Sequence, residues 1–269
     1  MSLFQAIVLG LIQGATEFVP VSSSGHLVLL PWLLGWPNPS LAFDSVLHLG
    51  TLFAVLIYLR REIAVVIDGW LQSVQRRSLA LPEERLGWLL IVSTIPGVVV
   101  GFLIEDYIER LFGTPRAVAV FLLVTGAILV VSERLGRRSR TMGDLTVRDA
   151  VWMGLAQALA IAPGISRSGA TIASGLTRAL GREDAARYSF LMVIPIIAGA
   201  AALQIADLIN AGLGSAGVLN LGAGFLVAFI AGYAAIGYLL RHLQQRSLRP
   251  FAFYCWGFGA LSLIVTFIR

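Results

Sequence analysis

Hydrophobic positions in this chain fall into long uninterrupted runs, without the strict alternation of half-buried strands. Six runs, Ala42–Leu59, Leu86–Ile104, Ala117–Ser132, Tyr188–Ala206, Leu219–Leu240 and Phe251–Ile268, carry almost no charge. They approach or reach the ~20 residues a helix needs to cross a ~30 Å hydrocarbon core. Two further apolar segments, Leu3–Val19 and Ala150–Ala162, are shorter and run into Pro/Gly/Ser loops, each followed by another short apolar piece. Irregular backbone at membrane depth survives only where protein or a water-filled cavity satisfies its polar groups. These segments therefore predict re-entrant pairs of half-helices, and their loops are where a site is expected.

The pattern also repeats. Gly10, Leu11, Gln13, Ser22, Ser24 and Gly25 match Gly154, Leu155, Gln157, Ser166, Ser168 and Gly169 at one constant offset, and Ala42, Ser45, Leu47 and Ala54 match Ala186, Ser189, Leu191 and Ala198. Each half then holds one re-entrant pair and three spans. Three is odd, so the second half enters the membrane from the opposite side, and the two polar loops meet near the midplane. The fold class predicted is an all-α polytopic membrane protein, with six transmembrane helices plus two re-entrant helix-loop-helix segments in an inverted-topology repeat. It is one membrane domain over 1–269, with repeat 1 at about 1–135 (loop 20–26) and repeat 2 at about 147–269 (loop 163–171).

Composition agrees with this class: 57% of the 269 residues are hydrophobic and 13% charged, which excludes an ordinary soluble domain. All the basic side chains are arginines, and they cluster between the apolar runs without forming a basic face, so no nucleic acid partner is expected. The connections 59–86, 132–150 and 240–250 are arginine-rich, whereas Ile104–Ala117 sets two arginines among three acids and Ala206–Leu219 has none. The first three are predicted to be cytoplasmic, with both termini outside the cytoplasm, the first loop dipping from the outer face and the second from the inner. Met1–Thr16 lacks a basic n-region and is followed by Glu17 and Pro20, so it is expected to stay in the mature chain. Cys255 is the only cysteine, which precludes an intrachain disulfide.

The candidate chemistry sits at the two loops. Gln13 and Glu17 share one face of the first half-helix, and an ionisable group in an apolar segment is costly unless it faces a polar cavity. Glu17 is read as a metal ligand or general base. Ser22, Ser23, Ser24 and Gly25 offer hydroxyls and N–H groups where the next half-helix begins, a place suited to an anion. His26 follows, placed to donate a proton to a leaving oxygen or to assist a serine. In the second loop Arg167 stands among Ser166, Ser168 and Thr171, and its planar fork suits phosphate oxygens. His48, four residues after Asp44, is read as a helix-packing hydrogen bond near the outer surface, and His242 as a solvated loop residue.

The segments TEFVPVSSSGH (Thr16–His26) and PGISRSGAT (Pro163–Thr171), with QGATE (Gln13–Glu17), closely resemble the bacitracin-resistance family of undecaprenyl-diphosphate phosphatases. The resemblance extends over nearly the whole chain. It implies six spans with two re-entrant loops, and removal of the terminal phosphate of undecaprenyl diphosphate at the outer face of the bacterial plasma membrane. That reaction recycles the lipid carrier of cell-wall synthesis. It also implies a divalent cation, Mg2+ or Ca2+, and makes Glu17, Ser23, His26 and Arg167 the catalytic candidates. Ser22, Ser24, Gly25, Ser166, Ser168 and Thr171 then become phosphate-binding candidates. Gln13 stands where many members carry a second glutamate, so Glu17 and Gln13 are the metal candidates. The partners expected are undecaprenyl diphosphate in the bilayer and membrane lipids, with a homodimer left open. Two rivals remain, and the inverted repeat with broken helices suits the second of them, a carrier, as well as it suits a hydrolase. Acid-phosphatase-like lipid phosphatases add a lysine motif and a histidine soon after their SR motif, and this chain has no lysine and no histidine between Arg167 and His242. A prenyl-phosphate flippase would need Arg167 and the loop amides but not a carboxylate beside a serine and a histidine.

Overall fold

The computed structural model describes residues 1–104, 111–210 and 215–269, with side chains outside 201–216. Among these residues lie eleven α-helices and one short 3-10 turn: α1 Leu3–Glu17, α2 Ser23–Leu34, α3 Leu41–Tyr58, α4 Arg60–Arg76, α5 Pro82–Leu103, α6 Pro115–Leu135, α7 Val147–Leu159, α8 Arg167–Thr177, α9 Arg182–Asn210, α10 Ser215–Gln245 and α11 Arg249–Ile268. Among the described residues five stretches are long and apolar enough to cross a membrane, namely α3, α5, α6, Gly217–Gln245 within α10, and α11. The protein is therefore an all-helical, multi-pass membrane protein. Each run expected to span falls on a helix, and Tyr188–Ala206 lies inside α9, whose last side chains are outside the described ones. The expectations for the connections Ile104–Ala117 and Ala206–Leu219 fall largely outside the described residues.

The expected basic connection 59–86 is in fact mostly helical, and α4 is the element that charge counting hides. Its buried positions Val66, Gly69 and Ser73 return at helical spacing while Arg60, Arg61 and Arg76 face outward, the pattern of an amphipathic helix. Gly69 packs so tightly on α5 that an added Cβ would stand 2.6 Å from the carbonyl oxygen of Glu83.

Two short helices are held in the same way by longer ones. The α1 glycines Gly10 and Gly14 face α10, where an added Cβ would stand 2.6 Å from the Gly224 carbonyl oxygen and 2.5 Å from that of Ala228. On α7, Gly154 lies equally close to α5, 2.6 Å from the carbonyl oxygen of Ser93. Small residues let helix backbones touch, which is how helices bind one another when the surrounding solvent is itself apolar. The core between these pairs is built on Phe18, whose ring meets Phe190 edge-on at 5.2 Å, with Leu29, Leu59, Leu122 and Met192 fully or nearly fully buried around it.

At the arginine-rich end, two buried carboxylates tie the helix ends together. Glu133 accepts from Arg138 at 2.5 Å, Arg182 at 2.7 and 2.8 Å, and the Leu248 N–H at 2.7 Å. Asp149, in the first turn of α7, accepts from Arg140 at 2.7 Å and Arg178 at 2.6 Å. Burial pushes the Asp149 carboxyl up, but bonds from Arg140, Arg178 and Thr146 outweigh it and hold the group well below the usual carboxylate range. His242, expected to be solvated, is half-buried against Phe251 and bonds the Ser247 carbonyl at 3.0 Å, closing the turn between α10 and α11. Truncating Glu133 strands two arginines and a backbone N–H, so Glu133→Ala is expected to cost about 3 kcal/mol. Thermal unfolding in detergent should show this as a midpoint several degrees lower.

Candidate active site

The site forms where the two Pro/Ser/Gly loops meet. α1 stops at Glu17, and Ser22, held at φ 70°, begins α2 as its cap, accepting the Gly25 N–H on its hydroxyl at 3.2 Å. α8 begins likewise, with Ser166 accepting the Gly169 N–H at 3.0 Å. In each loop the capping hydroxyl also touches that of the serine two residues on, Ser22 to Ser24 at 3.3 Å and Ser166 to Ser168 at 3.2 Å. Gly164, at φ 99°, sits against the Val118 carbonyl of α6, where a side chain would collide. Its own carbonyl accepts from Thr125 at 2.9 Å, which fixes the second loop to α6. Ser168 donates to the Val19 carbonyl at 3.2 Å and so joins one loop to the other.

Glu17 is the centre of this junction. Its side chain is 2% exposed, a costly place for a charge without partners. Those partners come from four directions: Gln13 donates to Oε2 at 3.0 Å, Ser23 donates to Oε2 at 2.5 Å, Arg167 pairs with Oε1, and His48 Nε2 stands 3.8 Å from Oε2. A hydroxyl bonded to a buried carboxylate is the arrangement of a nucleophile with its base. Arg167 has five N–H donors and spends one on Glu17, leaving the rest of its fork for an anion. Glu17, Ser22, Ser23, Ser24, Ser166 and Arg167 all line one cavity of about 400 Å³.

Other expected site residues stand behind that wall. The Gly25 N–H is taken by the Ser22 cap, Ser168 bridges the loops, and Thr171 bonds the Arg167 carbonyl at 2.8 Å and the Ser189 hydroxyl at 2.6 Å. His26 also faces away. Its Nδ1 is 2.8 Å from the Ser22 carbonyl, its Nε2 is 2.8 Å from the Tyr254 hydroxyl, and its ring stacks on Phe258 at 4.8 Å. Both ring nitrogens are thus engaged, one of them on the backbone of the serine loop. His48 makes the expected helix hydrogen bond, its Nδ1 2.9 Å from the Asp44 carbonyl, and it also stands between the Asp44 carboxylate, 3.7 Å away, and Glu17. Asp44, His48 and Gln157 all line the cavity. The signal for the first two was present in the sequence, as an acid and a histidine one turn apart in an apolar span.

Of the two expected cation ligands only Glu17 lines the cavity, with Gln13 fully buried behind it, and among the described residues no group of three or more His, Cys, Asp or Glu is placed to hold a metal. The Gln13 Oε1 is buried without a hydrogen-bond partner among the described residues, and Gln13 shares a bond with the Glu17 carboxylate. Mg2+ and Ca2+ take such amide and carboxylate oxygens, and Mg2+ usually completes its shell with water and phosphate oxygens.

A family model described as bacitracin resistance protein BacA matches residues 6–261 of the chain. The chain belongs to the BacA family. BacA-family relatives are similar over their full length. An undecaprenyl-diphosphatase of Pelobacter propionicus is 44% identical, covering 99% of this chain and 98% of its own. One from Rubrobacter xylanophilus is 43% identical over 97% of both chains, and one from Thermomicrobium roseum 43% identical over 100% of both.

Proposed function

We propose that this BacA-family protein is an undecaprenyl-diphosphatase, an integral membrane hydrolase that removes the terminal phosphate of undecaprenyl diphosphate and returns the monophosphate lipid carrier. The observation that carries the reading is the convergence of Ser23, Glu17 and Arg167 on one cavity: a hydroxyl donating to a carboxylate at 2.5 Å, with a guanidinium on that carboxylate's other oxygen. Two loops from distant parts of the chain supply these groups. The full-length identity to relatives bearing that name gives the substrate.

In the proposed reaction the terminal phosphate lies against the free part of the Arg167 fork, with Ser22, Ser24 and Ser166 around it. The Ser23 hydroxyl attacks the terminal phosphorus as Glu17 takes its proton, and the bridging P–O bond breaks so that undecaprenyl phosphate leaves; water then attacks the phosphoserine, the serine O–P bond breaks, and Ser23 regains its proton as inorganic phosphate is released. Positioning and charge neutralisation supply most of such a barrier reduction. Glu17, with Gln13 behind it, would hold a divalent cation, which would supply charge neutralisation for the transferred phosphate. His48 holds the outer side of Glu17. His26 acts as a positioning residue, because its contact with the Ser22 carbonyl fixes the serine loop without reaching the cavity.

The membrane arrangement that fits this chemistry has six spans, with α1–α2 and α7–α8 as two re-entrant pairs. Both termini lie outside the cytoplasm and the cavity opens to the outer face. Three features support it: the matching bonds of the two loops, the paired glycine contacts of α1 on α10 and α7 on α5, and the arginine-rich connections.

The deciding experiment measures phosphate release from undecaprenyl diphosphate by purified protein in detergent, with Mg2+ and with EDTA. Release with Mg2+ and its loss with EDTA are expected. No release under either condition, from folded protein, would overturn the proposal. Ser23→Ala in the same assay should lower turnover by about 10²-fold or more, and near-wild-type turnover would show that water attacks directly.

A further inference from the structure

The cavity is not polar throughout. Opposite Glu17 and Arg167 it is lined by Gly97 of α5, by Ile161 and Ile165, and by Ile196 and Ile197 of α9. Behind the same two helices lies a second hollow, an apolar groove of about 530 Å³. Its walls include Ile95 and Val98 of α5, Ile194 and Pro195 of α9, and Ile63 and Ile67 of α4. The two linings use consecutive residues of the same two helices. Gly97 faces the cavity and Val98 the groove; Ile196 faces the cavity and Pro195 the groove.

The two hollows thus share α5 and α9 as walls, and Gly97 presents no side chain on the cavity side. An added Cβ at Gly97 would stand 3.4 Å from Ile196 Cδ1 and 3.5 Å from Gln157 Nε2, so the glycine leaves room where α5, α7 and α9 meet. Both helices carry an internal proline at this level, Pro96 in α5 and Pro195 in α9. Each removes a hydrogen bond to the residue four before it, so both walls can bend where they face each other. One turn below Leu191, Arg187 pairs with Glu62 at 2.5 Å and ties α9 to α4. This closes the trough at one end.

We infer that the groove between α4, α5 and α9 is the binding site for the isoprenoid tail of the lipid diphosphate, which leaves the cavity across the α5–α9 seam at Gly97. This rests on the phosphatase reading and adds to it a path and a chain-length determinant. Only the isoprene units nearest the diphosphate occupy the cavity. Those that follow cover Ile95, Val98 and Ile194, gaining contact that a short prenyl chain does not reach. Selection for the long lipid thus acts on the helix side facing the bilayer.

The test uses wild-type protein in nanodiscs and a polyprenyl diphosphate bearing a mid-chain diazirine, with photoadducts mapped by mass spectrometry. Adducts are expected on Thr94–Val99 and Leu191–Pro195, and excess undecaprenyl diphosphate should suppress them while excess phosphatidylglycerol should not. Adducts confined to other helices, or groove adducts that phosphatidylglycerol removes equally well, would overturn the inference, the latter because ordinary membrane lipid then fills the groove. As a second measurement, Gly97→Leu and Val98→Trp should lower the ratio of kcat/KM for undecaprenyl over farnesyl diphosphate by about tenfold. An unchanged ratio in folded variants would also overturn it. Phosphate release by wild type from either substrate is scored separately, so failure of the tail path is distinguishable from failure of the phosphatase reading.

Discussion

Glu17→Gln is expected to abolish useful turnover, lowering kcat by about 10³-fold, while leaving the protein folded. The substitution keeps the shape of the side chain and its position between Gln13 and Ser23. What it removes is the negative charge. Glutamine cannot take the Ser23 proton, it gives a cation a weaker ligand, and it leaves Arg167 without its ion-pair partner. These losses fall on one group, so they do not add as independent contributions. The check is phosphate release with Mg2+ in purified protein whose unfolding midpoint lies within a few degrees of wild type. Turnover within about tenfold of wild type would remove Glu17 from the reaction.

Arg167→Lys should be nearly as damaging, about 10³-fold in kcat/KM, although the charge is retained. The guanidinium reaches the Glu17 carboxylate with one donor and keeps others, fixed in the same plane, for phosphate. An ammonium offers a single point of charge, so a lysine that satisfies Glu17 no longer presents a fork to the substrate. Most of the loss should appear in kcat, because the phosphoryl oxygens gain charge in the transition state. A loss confined to KM would instead assign Arg167 to ground-state binding alone.

The sequence disclosed more of the fold than of the site, for physical reasons visible in particular residues. Runs such as Leu219–Leu240 can only be membrane helices, since nothing else satisfies so apolar a backbone in lipid. The serines and glycines of the two loops likewise marked the ends of broken helices, where the structure finds Ser22 and Ser166 as caps. By contrast, the arginines of α4 give its stretch the charge of a connection and mask the helical return of Val66, Gly69 and Ser73. His48 escaped because Asp44 is its neighbour in sequence, whereas Glu17 becomes its neighbour only when α3 packs beside α1. The orientation of His26 depends on Tyr254, a residue 228 positions away that no local pattern announces.

The seating of α1 on α10 has a consequence for biogenesis. Gly10 and Gly14 await Gly224 and Ala228, which lie at the other end of the chain. At about 5–20 residues per second, roughly 10–40 s separate the arrival of the two helices in the membrane. Through that interval α1 has no groove to lie in, and until the ribosome has passed position 167 its acid has no guanidinium. The nascent N-terminal segment must therefore be sheltered by the insertion machinery or remain at the bilayer surface. A translation product that stops before Gly224 lacks the seat of α1, and one that stops before Arg167 lacks the guanidinium that Glu17 pairs with.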